Sequence, residues 1–167
     1  AWLNQFAPQA EAIRKATGLY LSAHYGASKL RWCLDNLPAV GAAQRAGHLA
    51  CGPLAAFLVF RLTRERALLV DPANAARTLL WNLRTLAWDP WLLDLFGIPA
   101  GALPVCVPTR HAYGVLQLPA HAIPLQIVTG DQSAALFSDG QPYAEVAYIN
   151  VGTGAFVQRT SGHYPAH

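Results

Sequence analysis

The stretch from Ile123 to Phe137 constrains the fold most. Ile123 to Thr129 is a largely apolar run of strand length, bounded on its far side by Gly130-Asp131, a turn pair. Gln132 to Phe137 then opens a helix. A strand that turns sharply into a helix is the building unit of α/β proteins, whose ligands bind beyond the carboxyl ends of the strands. Asp131 stands at that point.

The rest of the chain supplies helices first and short strands later. Trp2, Phe6, Ala10 and Ile13 fall on one side of a helix predicted from Trp2 to Ala16, which Thr17-Gly18 ends. Ser28 is placed to cap a second helix carrying Leu30, Cys33, Leu34 and Leu37 on one face, with Pro38 limiting its extent. A third helix begins at Gly52-Pro53 and runs to Leu62, apolar on all sides, which predicts burial. Asp89-Pro90, the apolar run Trp91 to Phe96 and Gly97 read as N-cap, first-turn proline and C-terminal glycine of a fourth helix. Ile98 to Pro124 holds five of the twelve prolines and reads as loops with short strands. Val146 to Val151 and Ala155 to Gln158 flank Gly152-Thr153-Gly154 as a β-hairpin.

Composition excludes several classes. Only 13% of the 167 residues are charged and 53% are hydrophobic, which rules out intrinsic disorder. Mean hydropathy is +0.23, yet the strongest apolar stretch, Leu54 to Phe60, is closed by Arg61 and is far shorter than the roughly 18 residues a membrane-spanning helix requires. The 12 basic residues form no run, so a nucleic-acid footprint is not expected. Cys33, Cys51 and Cys106 are odd in number and lack a C-x-x-C pair, which fits a reducing, cytoplasmic compartment and neither a zinc site nor a disulfide framework. So little charge also suggests surface normally covered by other protein, and the start at Ala1 without Met reads as an internal fragment.

Two constellations can carry chemistry. Asp131 can act as a general base toward a substrate hydroxyl, or it can simply cap the helix that follows. Gly152-Thr153-Gly154 can hold phosphate oxygens on backbone N–H groups and a hydroxyl, or be only a tight turn. His24 and Tyr25 lie in a polar loop beside Gly26, where His24 is either a solvated residue or a substrate contact. The six histidines show no metal-binding spacing. Arg77 is placed to anchor its loop through carbonyls or Asp71, and no G-x-S-x-G surrounds Ser133 or Ser138.

Five ordered phrases together resemble the FGGY carbohydrate kinases, and most nearly their glycerol kinase branch. Thr17-Gly18-Leu19 followed by Ser28-Lys29-Leu30-Arg31-Trp32 and Leu34-Asp35-Asn36 resembles the T-G-L…K-x-x-W-x-L-D segment. Asn74 to Leu80 resembles the T-N-A-S-R-T stretch, and Trp88-Asp89 with Gly97-Ile98-Pro99 the helix after it. Gly130 to Phe137 resembles the G-D-Q-Q-A-A-L-F box, and Gly152 to Phe156 the later G-T-G motif. The resemblance implies a ribonuclease-H-like (actin-like ATPase) α/β fold, incomplete here: the second half of the first, sugar-binding domain over residues 1–138, and the opening hairpin of the nucleotide-binding domain over 139–167. It implies Asp131 as catalytic base, Gln132 as substrate contact, and Thr153, framed by Gly152 and Gly154, at the nucleotide phosphates. His24 stands where glycerol kinases carry a substrate-contacting tyrosine, and Ala55 replaces an aspartate common in the helix after Gly52. The implied activity of the full-length protein is transfer of phosphate from ATP, with Mg2+, to a hydroxyl of a polyol or sugar. The alternative is a non-catalytic fragment that binds a ligand or partner. No counterpart of the family's early phosphate hairpin or metal ligands occurs in these residues, and edges left bare would favour homo-oligomers or self-association.

Overall fold

A computed structural model describes residues 2–161; Ala1 and residues 162–167, the last of the segment assigned to a second domain, lie outside the described residues. Contacts divide the chain into two units, Ala1–Val128 and Thr129–His167.

In the first unit, Trp2–Gln9 winds as a 3-10 helix and passes into α1 (Ala10–Thr17). The single α-helix predicted there is interrupted by Pro8, which has no N–H to donate and whose ring crowds the carbonyl four residues back. The expected apolar side survives: Trp2 meets Phe6 edge-on at 4.8 Å between centroids, Phe6 meets Phe96 at 5.1 Å, and Ile13 is fully buried. Gly18 closes α1 in the left-handed region at φ 70°.

α2 (Gly26–Asn36) starts two residues before Ser28 and has no side-chain cap. The N–H groups of Gly26 and Ala27 instead donate to the carbonyls of Arg77 and Thr78 at 3.3 and 2.8 Å, so a distant loop satisfies the helix start. Ser28 Oγ, inside the helix, donates back to the Tyr25 carbonyl. Pro38 ends α2 as expected and opens α3 (Pro38–Arg45). α4 (Leu54–Leu62) overturns the burial expectation: Ala56 and Val59 are buried, whereas Leu54 is 71% and Phe57 55% exposed, with Leu58, Phe60 and Leu62 exposed too. The elements that pack on α4, described next, cover only one of its sides.

β1 (Leu69–Val70) and β4 (Val105–Cys106) pair in parallel, Leu69 opposite Val105. Parallel strands require a crossover, and here it contains α5 (Pro72–Ala76), the short hairpin β2 (Trp81–Asn82) and β3 (Ala87–Trp88), and α6 (Pro90–Phe96). Asp71 leaves β1 fully buried and caps α5: Oδ2 accepts the N–H groups of Ala73 and Asn74, and Oδ1 accepts Asn74 Nδ2 at 2.6 Å. α6 follows its sequence signals throughout, with Asp89 accepting from Trp91 and Leu92 N–H, Pro90 in the first turn, and Gly97 left-handed at φ 63°. Ile13, Ala27, Leu79, Leu80, Leu92, Phe96 and Ile98 form one core cluster; Ala56, Val70, Ala75 and Trp81 form another.

The proline-rich stretch is more regular than its composition predicts. β5 (Arg110–Leu118) and β6 (His121–Ile127) make a long antiparallel hairpin turning at Pro119-Ala120, with Pro124 tolerated opposite Val115. The hairpin is fastened to the end of α4: Glu65 Oε2 accepts the Val115 N–H at 2.8 Å, and Arg64 N–H donates to the Val115 carbonyl. That backbone bond holds the Glu65 carboxyl below its ordinary value. Gly114 adopts φ 131°, a conformation L side chains rarely take, and a Cβ there would also lie 2.9 Å from Thr63 Cβ.

The second unit holds α7 (Asp131–Ala135) and the hairpin of β7 (Tyr148–Val151) and β8 (Ala155–Gln158), paired from Tyr148–Gln158 to Val151–Ala155. α7 is a shorter helix than the apolar continuation to Phe137 predicts. The hairpin lies where the sequence places it, its first strand starting two residues later.

Candidate active site

Asp131 is the first residue of α7, not its N-cap; that position is Gly130, in extended conformation and without a side-chain hydrogen bond. The capping alternative is therefore not what the geometry shows. Asp131 Oδ1 accepts the N–H of Gln132 at 2.7 Å, and among the described residues Oδ2 has no partner. The side chain is exposed. A carboxylate with one oxygen steadied by its own helix and the other open has the form a general base needs.

Gln132 is tied to the hairpin. Its Oε1 accepts Asn150 Nδ2 at 3.3 Å, which links the start of α7 to β7 two residues before Gly152. Asn150 is a partner of Gln132 that sequence reasoning missed; its local signal is a polar side chain between Ile149 and Val151 in an apolar strand. At the hairpin tip Gly152 N–H donates to the Gly154 carbonyl at 2.8 Å, closing the turn. Thr153 is exposed at its apex, and a Cβ at Gly152 would meet nothing within 4 Å. The tip is thus an open turn whose threonine is available to a ligand. A cavity of about 300 Å³ in this unit is lined by Ser138, Asp139, Tyr148, Asn150 and Gln158 among others.

His24 belongs to the first unit, exposed in the turn that leads into α2. Its N–H donates to Ser22 Oγ at 3.1 Å, and the Lys29 ammonium donates to the carbonyls of Ala23 and His24 at 3.1 and 2.6 Å. The His24 ring stands edge-on to Tyr25, with 5.5 Å between centroids. On the same tyrosine the Arg77 guanidinium lies 4.9 Å from the ring centroid. The expectation that Arg77 anchors its loop through Asp71 is not met, because both Asp71 oxygens are taken up by Ala73 and Asn74. A neighbouring cavity of about 420 Å³ beside Ala23 and Trp32 offers a ligand little unmet polarity: Arg31 is paired with Asp35 and donates to the Gly97 carbonyl, and Asn36 donates to the Trp32 carbonyl.

Among the described residues, no group of three His, Cys, Asp or Glu side chains could hold a metal ion, and no helix is long and apolar enough to cross a membrane. Burial pushes the Cys51 and Cys106 thiols up to about 11, which makes them poor nucleophiles near neutral pH.

The chain is 41% identical over 152 residues to a glycerol kinase of Polaromonas naphthalenivorans, covering 90% of this chain and 31% of that protein. A glycerol kinase of Symbiobacterium thermophilum is 40% identical over 156 residues, covering 92% and 31%. The crystal structure of Plasmodium falciparum glycerol kinase with ADP superimposes with a TM-score of 0.81 at 27% identity, over 93% of this chain and 32% of that one. A xylulose kinase from Rhodospirillum rubrum shares the fold, with a TM-score of 0.76 at 22% identity over 92% and 32%. The chain therefore spans about a third of the length of these relatives, and its mixed helix and sheet architecture is part of the actin-like ATPase fold. Residues 3–138 match the FGGY family of carbohydrate kinases, N-terminal domain, and the chain belongs to that family.

Proposed function

We propose that the full-length protein transfers the γ-phosphoryl group of ATP to a hydroxyl of a polyol or sugar. The observation that carries this reading is the Asp131 carboxylate, held at one oxygen by Gln132 N–H and open at the other, inside a sequence that belongs to a carbohydrate kinase family. Asp131 takes the proton of the attacking hydroxyl as its oxygen bonds to the γ-phosphorus and the bond to the ADP oxygen breaks. Gln132, steadied by Asn150, and His24 orient the acceptor. Positioning of this kind is worth more than proton transfer alone in phosphoryl transfer.

The Thr153 hydroxyl, exposed at the apex of a turn closed by the Gly152 N–H to Gly154 carbonyl bond, suits the oxygens of a nucleotide phosphate. ATP supplies the transferable phosphoryl group when bound. Residues 1–138, which contain the matched family domain, are assigned to the acceptor-binding domain and 139–167 to the start of the nucleotide-binding domain, with Mg2+ accompanying the nucleotide. The free cysteines Cys33, Cys51 and Cys106 fit a cytoplasmic location, and pairing of bare edges gives self-association.

The test is a panel of polyols and ketoses offered with ATP to the full-length protein, with ADP release followed. Turnover of at least one acceptor is expected. Hydrolysis of ATP that no acceptor stimulates would overturn the proposal. The resemblance puts His24 at the position of a tyrosine in glycerol kinases, so glycerol should be turned over more slowly than the best acceptor.

A further inference from the structure

We infer that Arg77 is a positioning residue for the acceptor site, fixing the His24 imidazole by clamping the Tyr25 ring between them. The inference deepens the function proposed above and rests on it for the identity of the site, whereas the clamp is seen in the geometry of the first unit alone.

Three features converge on the turn that carries His24. Its backbone is gripped from below by Lys29, whose ammonium reaches the carbonyls of Ala23 and His24. Its continuation into α2 is bonded to the Arg77 loop, through Gly26 N–H to the Arg77 carbonyl and Ala27 N–H to the Thr78 carbonyl. That approach is close, since a Cβ at Gly26 would fall 3.2 Å from Thr78 Cα. The third feature is the aromatic stack: Arg77 guanidinium over Tyr25 at 4.9 Å, and Tyr25 against the His24 ring at 5.5 Å with an interplanar angle of 84°.

Backbone bonds fix where the turn lies but leave the His24 side chain its own torsions. The Tyr25 ring stands against the imidazole; that ring packs on the core cluster of the first unit and carries the Arg77 guanidinium over its face. The Arg77 loop is itself firmly set. Asp71 caps α5 from a fully buried position, Thr78 Oγ1 donates to the Ala75 carbonyl at 2.7 Å, and Leu79 is held buried at φ 67°. A leucine in the left-handed region persists only where its surroundings over-determine it. The guanidinium therefore projects from a rigid base onto an aromatic face, an arrangement that costs little entropy per contact. Arg77 touches no reacting atom, and its effect is confined to how well the acceptor is held.

The experiment compares Arg77→Gln, Arg77→Lys and His24→Ala in the full-length protein. Arg77→Gln should raise the KM for the acceptor roughly three- to tenfold, the range of one exposed to partly desolvated cation–π contact, with the KM for ATP unchanged. Arg77→Lys keeps the cation and should recover most of the loss. An acceptor KM that rises in His24→Ala but not in Arg77→Gln would overturn the inference while leaving the proposed function intact. The second measurement is independent of turnover. The His24 imidazole proton resonance, assigned by its loss in His24→Ala, should move in Arg77→Gln toward its position in Tyr25→Leu, as the ring current is lost. If it stays at the wild-type position the clamp does not exist, whether or not the protein phosphorylates any member of the acceptor panel.

Discussion

At the scale of the residue, the site depends on which partners a side chain lacks as much as on those it has. Asp131 uses one oxygen on Gln132 N–H, and that bond survives conversion to an amide oriented with its oxygen toward the helix. Asp131→Asn keeps shape and this contact but cannot accept the hydroxyl proton. In the full-length protein it should lower kcat by at least about 10²-fold, the lower end of general-base contributions, with the KM for ATP little changed. Steady-state kinetics check this, and near-normal kcat would remove Asp131 from catalysis. Asp131, Gln132 and Thr153 could be proposed from the sequence because each sits in a short contiguous phrase. The Tyr25–Arg77 contact was not, since 52 positions separate the two residues and only the folded α5 loop brings them together. Asn150 escaped notice for the same reason: its partner lies across the unit, in another element.

At the scale of the element, local chemistry was readable wherever it was self-sufficient. α6 carries its own start and stop, and the structure reproduces each signal from Asp89 to Gly97. α2 does not, and its start is set by carbonyls of a loop some 50 residues away in sequence, which no capping rule can reveal. The β5–β6 hairpin was obscured by Pro119 and Pro124, because proline content argues for loops unless the turn and the edge positions are known in advance. The cap of α6 is also a tertiary joint. Asp89 Oδ1 accepts Trp91 and Leu92 N–H, while Oδ2 accepts Asn82 Nδ2 at 2.7 Å and so ties the β2–β3 hairpin to the helix. Asp89→Ala should therefore destabilise the protein by about 2 kcal/mol, the upper end for loss of an N-cap, whereas Asp89→Asn should cost less than half as much. Denaturant unfolding of the two variants against the parent measures the difference. Equal losses would mean that Asp89 contributes charge and not capping geometry.

At the scale of the whole molecule, the sequence foretold exposed apolar surface through its low charge, but it assigned α4 to the interior. An all-round apolar helix predicts burial only if neighbours exist on every side, and here β1 and β5 meet one side while Leu54, Phe57 and Leu62 face outward. The β7–β8 hairpin is similar. Ile149, Val151 and Val157 are 66%, 72% and 70% exposed on a two-stranded sheet whose edges have no strand partner among the described residues. Such edges pair with another copy unless charge or cover prevents it, and little charge is present. The 167-residue chain on its own should therefore self-associate, with an apparent mass by light scattering that rises with concentration and falls on adding mild denaturant. The same chain should show no measurable acceptor-dependent release of ADP from ATP. It spans about a third of the kinases it resembles. The two outcomes are separable. A concentration-independent monomer would mean that the exposed residues of α4 and the hairpin do not drive association. Normal turnover from these residues alone would mean that the phosphate site is complete within them, and the division between acceptor-binding and nucleotide-binding segments would then have to be redrawn around Asp131 and Thr153.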